Sequence, residues 1–229
     1  MFAQSALDTR LRPFEAVKAV RRLMANPEAT EEVFVVLRAM RGRSGIALFR
    51  RFAQSRMGAR ILMEKRSLIA ALCDRATLAA LPPGSLGREY HRFMASENLS
   101  AEGLVAPSQA YRDDMVPEDV ALFRDRMRDM HDLTHILTGY GRDPLGELCL
   151  LAFMYPHTGN LGMALIVLMG LGRLESRAAR KAVIEAWRHG RKARWFADMD
   201  WEAMLPEPLS KLRPFFDVAK PAAYYGAMS

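Results

Sequence analysis

Hydrophobic residues recur along the chain at intervals of three and four positions, the spacing that places them on one face of an α-helix. Residues 28–40 carry Val33, Leu37 and Met40 at this spacing, after an Asn-Pro pair that is typical of a helix start. A similar stripe runs through residues 85–98. The sequence has no alternating run of strand length and no Asn-Gly or Asp-Gly hairpin turn. The pattern therefore predicts an all-α protein, a single-domain multi-helix bundle of about nine or ten helices.

Glycine and proline mark the ends of the predicted helices in the middle of the chain. Pro117 can open a long helix that reaches about residue 138, where Gly-Tyr-Gly at 139–141 ends it. Asp143 and Pro144 then supply an N-cap and a first helical residue. Because the turn between the two helices is short, we expect the second helix to fold back beside the first.

Basic residues are concentrated in the first quarter of the chain. The 229 residues include 33 Lys and Arg against 26 Asp and Glu, a net charge of +7, and positions 10–66 hold fourteen Lys and Arg against five Glu. No linker separates two domains, so we predict one domain over residues 1–229, with residues 1–57 as a basic N-terminal helical extension. Zinc-finger spacing, RNA-binding motifs and a helix-turn-helix are absent, and we therefore expect no nucleic-acid partner.

Apolar runs in the sequence are too short for a membrane span or a secretion signal. The longest, residues 161–172, is well below the roughly 20 residues that a bilayer requires. The N-terminus lacks a continuous apolar run and carries Asp8, Arg10 and Arg12. Arginine outnumbers lysine, which hints at a GC-rich bacterial genome. We therefore expect a protein of the bacterial cytoplasm, with no signal peptide or transmembrane helix. A second basic segment, residues 173–194, could place it peripherally on the inner membrane.

Histidines and carboxylates cluster around the predicted helical turn. His131 and His135 are four residues apart, so their imidazoles project from one helix face and can bind a single ion. The turn brings Glu147 within reach, which makes three protein ligands and leaves one position open. Asp132, about 100° around the helix, is either a fourth ligand or the partner that orients a histidine. The alternative is a structural histidine pair, with Glu147 as a favourable acid near a helix start.

The motif His-Asp-x-x-His, followed after eleven residues by Glu, resembles the metal motif of a family of ubiquinone (coenzyme Q) biosynthesis proteins, that of the fourth Coq protein. In this chain the motif reads His131, Asp132, His135 and Glu147. Further similar blocks, among them Leu-Pro-Pro-Gly-Ser-Leu-Gly-Arg-Glu-Tyr, extend the resemblance over about residues 58–216.

The resemblance implies metal-dependent removal of the C1 carboxylate of a prenylated hydroxybenzoate, with hydroxylation at that carbon. It implies a divalent ion on the four motif residues, zinc in the first place, with iron or magnesium as alternatives. It also implies a prenylated aromatic or isoprenoid lipid, other ubiquinone-biosynthesis proteins and a second copy of the chain as partners. One alternative is a non-catalytic lipid-binding scaffold. Another is a His-Asp phosphohydrolase, which needs a further His and Asp and lacks the Glu spacing.

Two arginines precede the motif on the predicted helix. Arg124 and Arg128 lie seven and three residues before His131, on broadly the same face, where they could bind a substrate carboxylate or a lipid phosphate. Asp125 and Asp129 alternate with them, and the other interpretation is a solvated charged face.

Two apolar segments follow the motif. Residues 148–155 and 161–172 are predicted to form helices, separated by a loop at residues 156–160. An all-round apolar helix is buried or lines an apolar cavity. The two helices could therefore form part of the hydrophobic core, line a tunnel for a prenyl tail, or form a dimer interface. The resemblance favours the tunnel.

Overall fold

The computed structural model of the chain describes residues 9–26, 29–105 and 116–228, and regular secondary structure in these residues is entirely helical. The helices of the first part of the chain are α1 (Pro13–Ala25), α2 (Thr30–Ala39), α3 (Ser44–Gln54), α4 (Arg56–Met63), α5 (Leu68–Cys73), α6 (Arg75–Ala80) and α7 (Leu86–Ser96), followed by a short 3-10 helix (Ala101–Leu104). Those of the second part are α8 (Glu118–Asp129), α9 (His131–Thr138), α10 (Pro144–Thr158), α11 (Leu161–Arg173), α12 (Arg177–Lys192), α13 (Trp201–Met204), α14 (Leu209–Phe216) and α15 (Ala222–Met228).

The all-α prediction is confirmed, but the predicted number of nine or ten helices is wrong, because the described residues contain more. The predicted helix over residues 117–138 is two helices, α8 and α9. They are separated at Met130, whose ψ of −3° departs from the helical value. Short helices such as α5, α6 and α13 span one or two turns and carry little periodicity in the sequence. The predicted helix start at residues 27–28 lies outside the described residues.

Helix α10 forms the centre of the hydrophobic core. Its segment 148–155, nearly all apolar in sequence, is mostly buried. Helix α12 packs against it so closely that a Cβ atom on Gly190 would lie 2.0 Å from the carbonyl oxygen of Phe153. Only glycine permits this approach of the two backbones. Of the two apolar segments, the first is therefore core.

Helix α11, the second apolar segment, is buried on one side only. Gly162, Ile166 and Gly170 face the interior. Leu161 and Leu168 are 44% and 67% exposed. The helix thus covers the core with one face and presents leucines to the outside with the other. None of the helices formed by the described residues is long and apolar enough to cross a bilayer.

The basic N-terminal segment packs on the rest of the chain. Ala19 of α1 and Val36 of α2 belong to the main hydrophobic cluster. Phe49 and Phe52 of α3 form a second cluster, in which their ring centroids lie 5.8 and 4.8 Å from that of Phe123. The predicted domain organisation, one domain with a basic extension, stays a prediction.

His157 lies in the core, whereas the sequence predicted it to be in a loop. Helix α10 continues through Pro156 as far as Thr158, and the predicted loop begins only after that residue. The His157 ring is 5% exposed and packs between Phe153 and Phe196, with centroid distances of 5.3 and 4.8 Å. Neither ring nitrogen hydrogen-bonds to a described residue. Burial, assisted by the charge of Arg51, lowers the pKa of His157 to about 4.

The contact between α10 and α12 makes a testable prediction about two glycines. Gly190→Ala forces the backbones apart, and we expect it to lower the free energy of unfolding by about 1–3 kcal/mol. Gly172→Ala, in α11 with open space around its Cβ position, is the matched control. Alanine is the better helix former, so the control should be neutral or stabilising by a few tenths of a kcal/mol. Urea unfolding followed by circular dichroism measures both, and equal stability of the two variants would contradict the packing.

The burial of His157 predicts how stability depends on pH. An unfolded histidine binds a proton near pH 6.5 and folded His157 only near pH 4, so the unfolded state holds more protons between these values. Stability should therefore fall as pH drops from 6.5 to 4, with a contribution from this residue of up to about 3 kcal/mol. His157→Phe should remove that part of the slope in urea unfolding, whereas His189→Phe should keep it. An unchanged slope in His157→Phe would show that the ring is protonated normally.

Candidate metal centre

A short turn joins the motif helix α9 to α10. Helix α9 ends at Thr138, and the capping residue Gly139 has a left-handed φ of 81°. The Gly139 N–H donates to the His135 carbonyl at 2.8 Å. The Asp143 side chain accepts hydrogen bonds at 3.0 and 3.1 Å from two backbone N–H groups at the start of α10. Pro144 is the first residue of that helix. The predicted cap and the predicted turn are therefore present.

Residues from the C-terminal end of the chain hold this turn in place. Tyr224 donates a hydrogen bond to the Asp143 carboxylate, and its hydroxyl accepts one from the Gly141 N–H at 3.1 Å. Gly146 lies so close to the turn that a Cβ atom there would be 2.1 Å from the Gly141 carbonyl oxygen. Arg213 donates to two carbonyl groups near the end of α9, at 3.1 and 3.2 Å. The turn is thus held by Tyr224 at its centre and by Arg213 at the end of α9.

The turn selects the tautomer of neutral His135. Its Nδ1 lies 3.0 Å from the Tyr140 carbonyl oxygen, which only accepts hydrogen bonds, so Nδ1 carries the proton. In the neutral ring, Nε2 is then an unprotonated acceptor. It is buried, makes no well-aligned hydrogen bond to a described residue, and lies 3.4 Å from Oε1 of Glu147. Two acceptors that face one another in this way need a cation between them, either a proton or a metal ion.

The second histidine faces the other oxygen of the same carboxylate. His131 Nδ1 lies 3.1 Å from Asp132 Oδ1, and its Nε2 lies 3.8 Å from Glu147 Oε2. An ionised carboxylate only accepts, so Asp132 favours the proton on Nδ1 and leaves Nε2 free for Glu147. The rings of His131 and His135 meet edge to face, with centroids 4.7 Å apart.

The donor set fits a divalent metal ion. Ligand atoms of His131, Asp132 and His135 lie within 4.8 Å of one another, so this group could hold one. Ligands about 2.1 Å from a tetrahedral ion are roughly 3.4 Å apart, close to the separations of Glu147 from the two Nε2 atoms. Of the residues predicted to form the site, the two histidines and the two carboxylates are therefore brought together.

Electrostatics keeps the two carboxylates ionised. Burial raises the pKa of Glu147, but His135, His131 and Arg142 lower it by more, so it lies below its ordinary value. The pKa of Asp132 is lowered in the same way, chiefly by its bond to His131 against the effect of burial. Burial lowers the pKa of His131, yet Asp132 and Glu147 raise it overall. Two negative charges therefore face the imidazoles at neutral pH.

The two arginines predicted to bind substrate lie on α8, before the motif helix. The Arg128 side chain is 9% exposed and donates hydrogen bonds to Asp125 at 2.9 Å and to Asp129 at 2.6 and 2.8 Å. Arg124 is half-buried on the same helix. The two acidic residues that alternate with the arginines, Asp125 and Asp129, are thus bonding partners of Arg128. Substrate binding by the two arginines stays a prediction.

Sequence reasoning missed three contributors to the site. The Tyr140 carbonyl orients His135, but a backbone carbonyl leaves no mark in the sequence. Tyr224 supports the turn from more than 80 positions away. Arg142 lies at the edge of the site, with Nε 3.9 Å from Glu147 Oε1 and Nη1 3.7 Å from Glu97 Oε2. Its position directly after the predicted end of the motif helix was the one sequence feature that could have indicated its place near the site.

Comparison with known proteins connects the chain to one family. The family model described as coenzyme Q (ubiquinone) biosynthesis protein Coq4 matches residues 12–222, a wider range than the resemblance over residues 58–216. A rat protein named as a mitochondrial COQ4 homolog of ubiquinone biosynthesis is 32% identical over 168 residues, covering 72% of this chain and 62% of that protein. The zebrafish homolog is 29% identical over 203 residues, covering 86% and 73%. The chain thus spans about three fifths of the rat relative's length.

A solved structure has a similar fold. It is the crystal structure of a protein from Nostoc punctiforme that carries a ubiquinone-biosynthesis name. The TM-score is 0.64 with 19% sequence identity, and the match covers 92% of this chain and all of the other. At this identity the likeness concerns the fold.

The geometry of the centre predicts metal binding that depends on Glu147. We expect the protein to bind one equivalent of Co²⁺ or Zn²⁺, more weakly at pH 5.5 than at pH 7.5, because protons compete for the imidazoles. Glu147→Gln removes the charged oxygens and should weaken binding at least about tenfold. Glu207→Gln, at a side chain equally exposed at 36% but paired with Lys211, is the matched control. Calorimetric titration measures the affinities, and equal values for the two variants would exclude Glu147 as a ligand.

Proposed function

Because the chain belongs to the Coq4 family of coenzyme Q (ubiquinone) biosynthesis proteins, we propose that it removes the C1 carboxylate of a prenylated hydroxybenzoate at a divalent metal centre, with hydroxylation at that carbon. The carboxylate would leave as carbon dioxide, and molecular oxygen would be the oxidant that takes up the electron pair left on the ring. The resemblance found in the sequence is thereby confirmed at the level of the family. One observation carries the proposal for the site: His135 Nε2, buried and without an aligned partner among the described residues, faces the Glu147 carboxylate at 3.4 Å.

In this proposal each residue of the motif has a separate task. His131, His135 and Glu147 hold the ion, and Asp132 orients His131 through its hydrogen bond to Nδ1. The imidazole ligands favour zinc or iron over magnesium, which prefers oxygen donors. A bound divalent cation would act as a Lewis acid, stabilising the negative charge that develops on the ring as the carboxylate leaves.

The protein around the motif keeps the ligands in position. The Tyr140 carbonyl holds the His135 proton on Nδ1, so that Nε2 remains available. Phe93 of α7 stacks on the same ring at a centroid distance of 6.0 Å and restricts the access of water from that side. A ligand that is already oriented loses little freedom when it binds. We propose that these contacts preorganise the centre.

The proposed partners follow from the family and from two exposed surfaces. The exposed leucines of α11 are available to the prenyl chain of the substrate or to a second copy of the protein. Helix α12 exposes basic residues around Trp187, a composition suited to an anionic membrane surface. We propose a protein of the bacterial cytoplasm that associates peripherally with the inner membrane, works as a homodimer and contacts other ubiquinone-biosynthesis proteins.

The scaffold alternative uses the same residues without catalysis. A lipid-presenting protein would bind the prenylated intermediate at the metal and pass it to partner enzymes. Nothing in the described part of the site favours the phosphohydrolase. Activity of the isolated chain therefore decides between enzyme and scaffold.

The proposal predicts carbon dioxide release by the purified protein. With Zn²⁺ or Fe²⁺, oxygen and a prenylated hydroxybenzoate, we expect a product that has lost its carboxylate, detected by mass spectrometry. His135→Ala removes a ligand and should lower the rate by at least ~100-fold. His189→Ala, a histidine on α12, should leave the rate within about twofold.

Retention of the carboxylate under every metal condition, with normal binding of the substrate, would support the scaffold instead. Deletion of the gene in the native bacterium would distinguish the enzyme from the scaffold by the precursor that accumulates. The enzyme predicts accumulation of a prenylated intermediate that keeps its ring carboxylate, whereas loss of a scaffold predicts accumulation of the earliest precursor.

A further inference from the structure

Arg142 is a cationic side chain at the edge of the metal centre that is not committed to a hydrogen bond. Its guanidinium nitrogens lie 3.7 Å from Glu97 and 3.9 Å from Glu147, beyond the 2.7–3.2 Å range of protein hydrogen bonds. Its side chain is 36% exposed. Within the part of the chain that the structure describes, the guanidinium therefore has all its donors available to an incoming group.

Two arginines in other parts of the fold are differently placed. Arg126 is 2% exposed and donates to Glu202 at 2.7 Å and to the Met199 carbonyl at 3.1 Å. Arg213 donates to two carbonyl groups at the end of α9. These side chains support the structure, whereas Arg142 combines exposure, proximity to the ligands and open donors.

The charges of the site favour an anion at Arg142. Asp132 and Glu147 together balance a divalent ion, and the two imidazoles are neutral as ligands. Arg142 then contributes one further positive charge. Glu97 is the carboxylate closest to it outside the ligand set, at the rim of the site and 43% exposed. An incoming carboxylate can displace this weak contact because it forms two short bonds to the guanidinium fork.

We propose that Arg142 is a specificity-determining residue that binds the carboxylate of the aromatic substrate beside the metal. This inference rests on the proposed function and adds to it the residue that recognises the group to be removed. Arginine would bind the carboxylate in the ground state and lose its partner as neutral carbon dioxide leaves. Removal of the arginine should therefore raise KM without lowering kcat.

Binding of small probes to the full chain tests the inference without turnover. The probes are 4-hydroxybenzoate, phenol, which lacks the carboxylate, and inorganic phosphate, each titrated into metal-free and Zn²⁺-loaded protein by calorimetry. We expect 4-hydroxybenzoate to bind about tenfold or more tighter than phenol. Arg142→Gln should reduce that preference by about tenfold, and Arg142→Lys should retain part of it because lysine lacks the fork.

Two further variants give the test a direction and a control. Glu97→Gln removes the competing carboxylate and should tighten binding of 4-hydroxybenzoate several-fold. Arg60→Gln removes the same charge from an exposed arginine that pairs with Glu64, and it should change nothing. If Arg142 only supports the fold, Glu97→Gln and Arg142→Gln are not expected to change the affinity for 4-hydroxybenzoate in opposite directions.

Three outcomes would overturn the inference. An unchanged preference in Arg142→Gln shows that the arginine does not bind the carboxylate. Loss of Zn²⁺ affinity in that variant, with no change for 4-hydroxybenzoate, assigns Arg142 to the support of Glu147. Tighter binding of phosphate than of 4-hydroxybenzoate, dependent on Arg142, assigns the site to a phosphate. Wild-type protein that binds no Zn²⁺ contradicts the proposed function alone, since the metal-free titrations still test Arg142.

Discussion

The hydrogen bond from His135 Nδ1 to the Tyr140 carbonyl oxygen, 3.0 Å long, determines what the centre can do. It places the Nδ1 proton on the side away from Glu147, so in the neutral ring a buried nitrogen lone pair faces a carboxylate. Proteins rarely leave such a pair of acceptors in contact, because a buried polar group without a partner costs about 1–3 kcal/mol. A cation between the two removes this cost, and in the proposed centre that cation is a divalent metal ion.

That hydrogen bond depends on the backbone conformation of the turn from α9 to α10. The left-handed Gly139 ends the first helix, and Asp143 caps the second. Tyr224 bonds both to Asp143 and to Gly141, which connects the turn to the C-terminal helix. Gly146 must be a glycine because its backbone lies against the Gly141 carbonyl group. The geometry of the site therefore depends both on the turn itself and on residues far away in sequence.

The sequence predicted those features that depend on local spacing. Helix periodicity indicated the all-α fold, and the four-residue interval placed His131 and His135 on one face. It did not predict the helix break at Met130 or the burial of His157, because tertiary packing decides both. Arg142 was overlooked for a similar reason: its distance from Glu147 follows from the turn conformation, and charge alone did not distinguish it from arginines that bond within the fold.

The central claim is that the Nε2 atoms of His131 and His135 and the carboxylate of Glu147 surround one divalent ion. Crystals of the protein grown with Zn²⁺, with diffraction recorded on both sides of the zinc absorption edge, test it most directly. The account predicts one anomalous peak per chain, about 2.0–2.2 Å from these three side chains. A crystal with full zinc occupancy elsewhere and none at this cluster, or with Glu147 turned away from the ion, would contradict it.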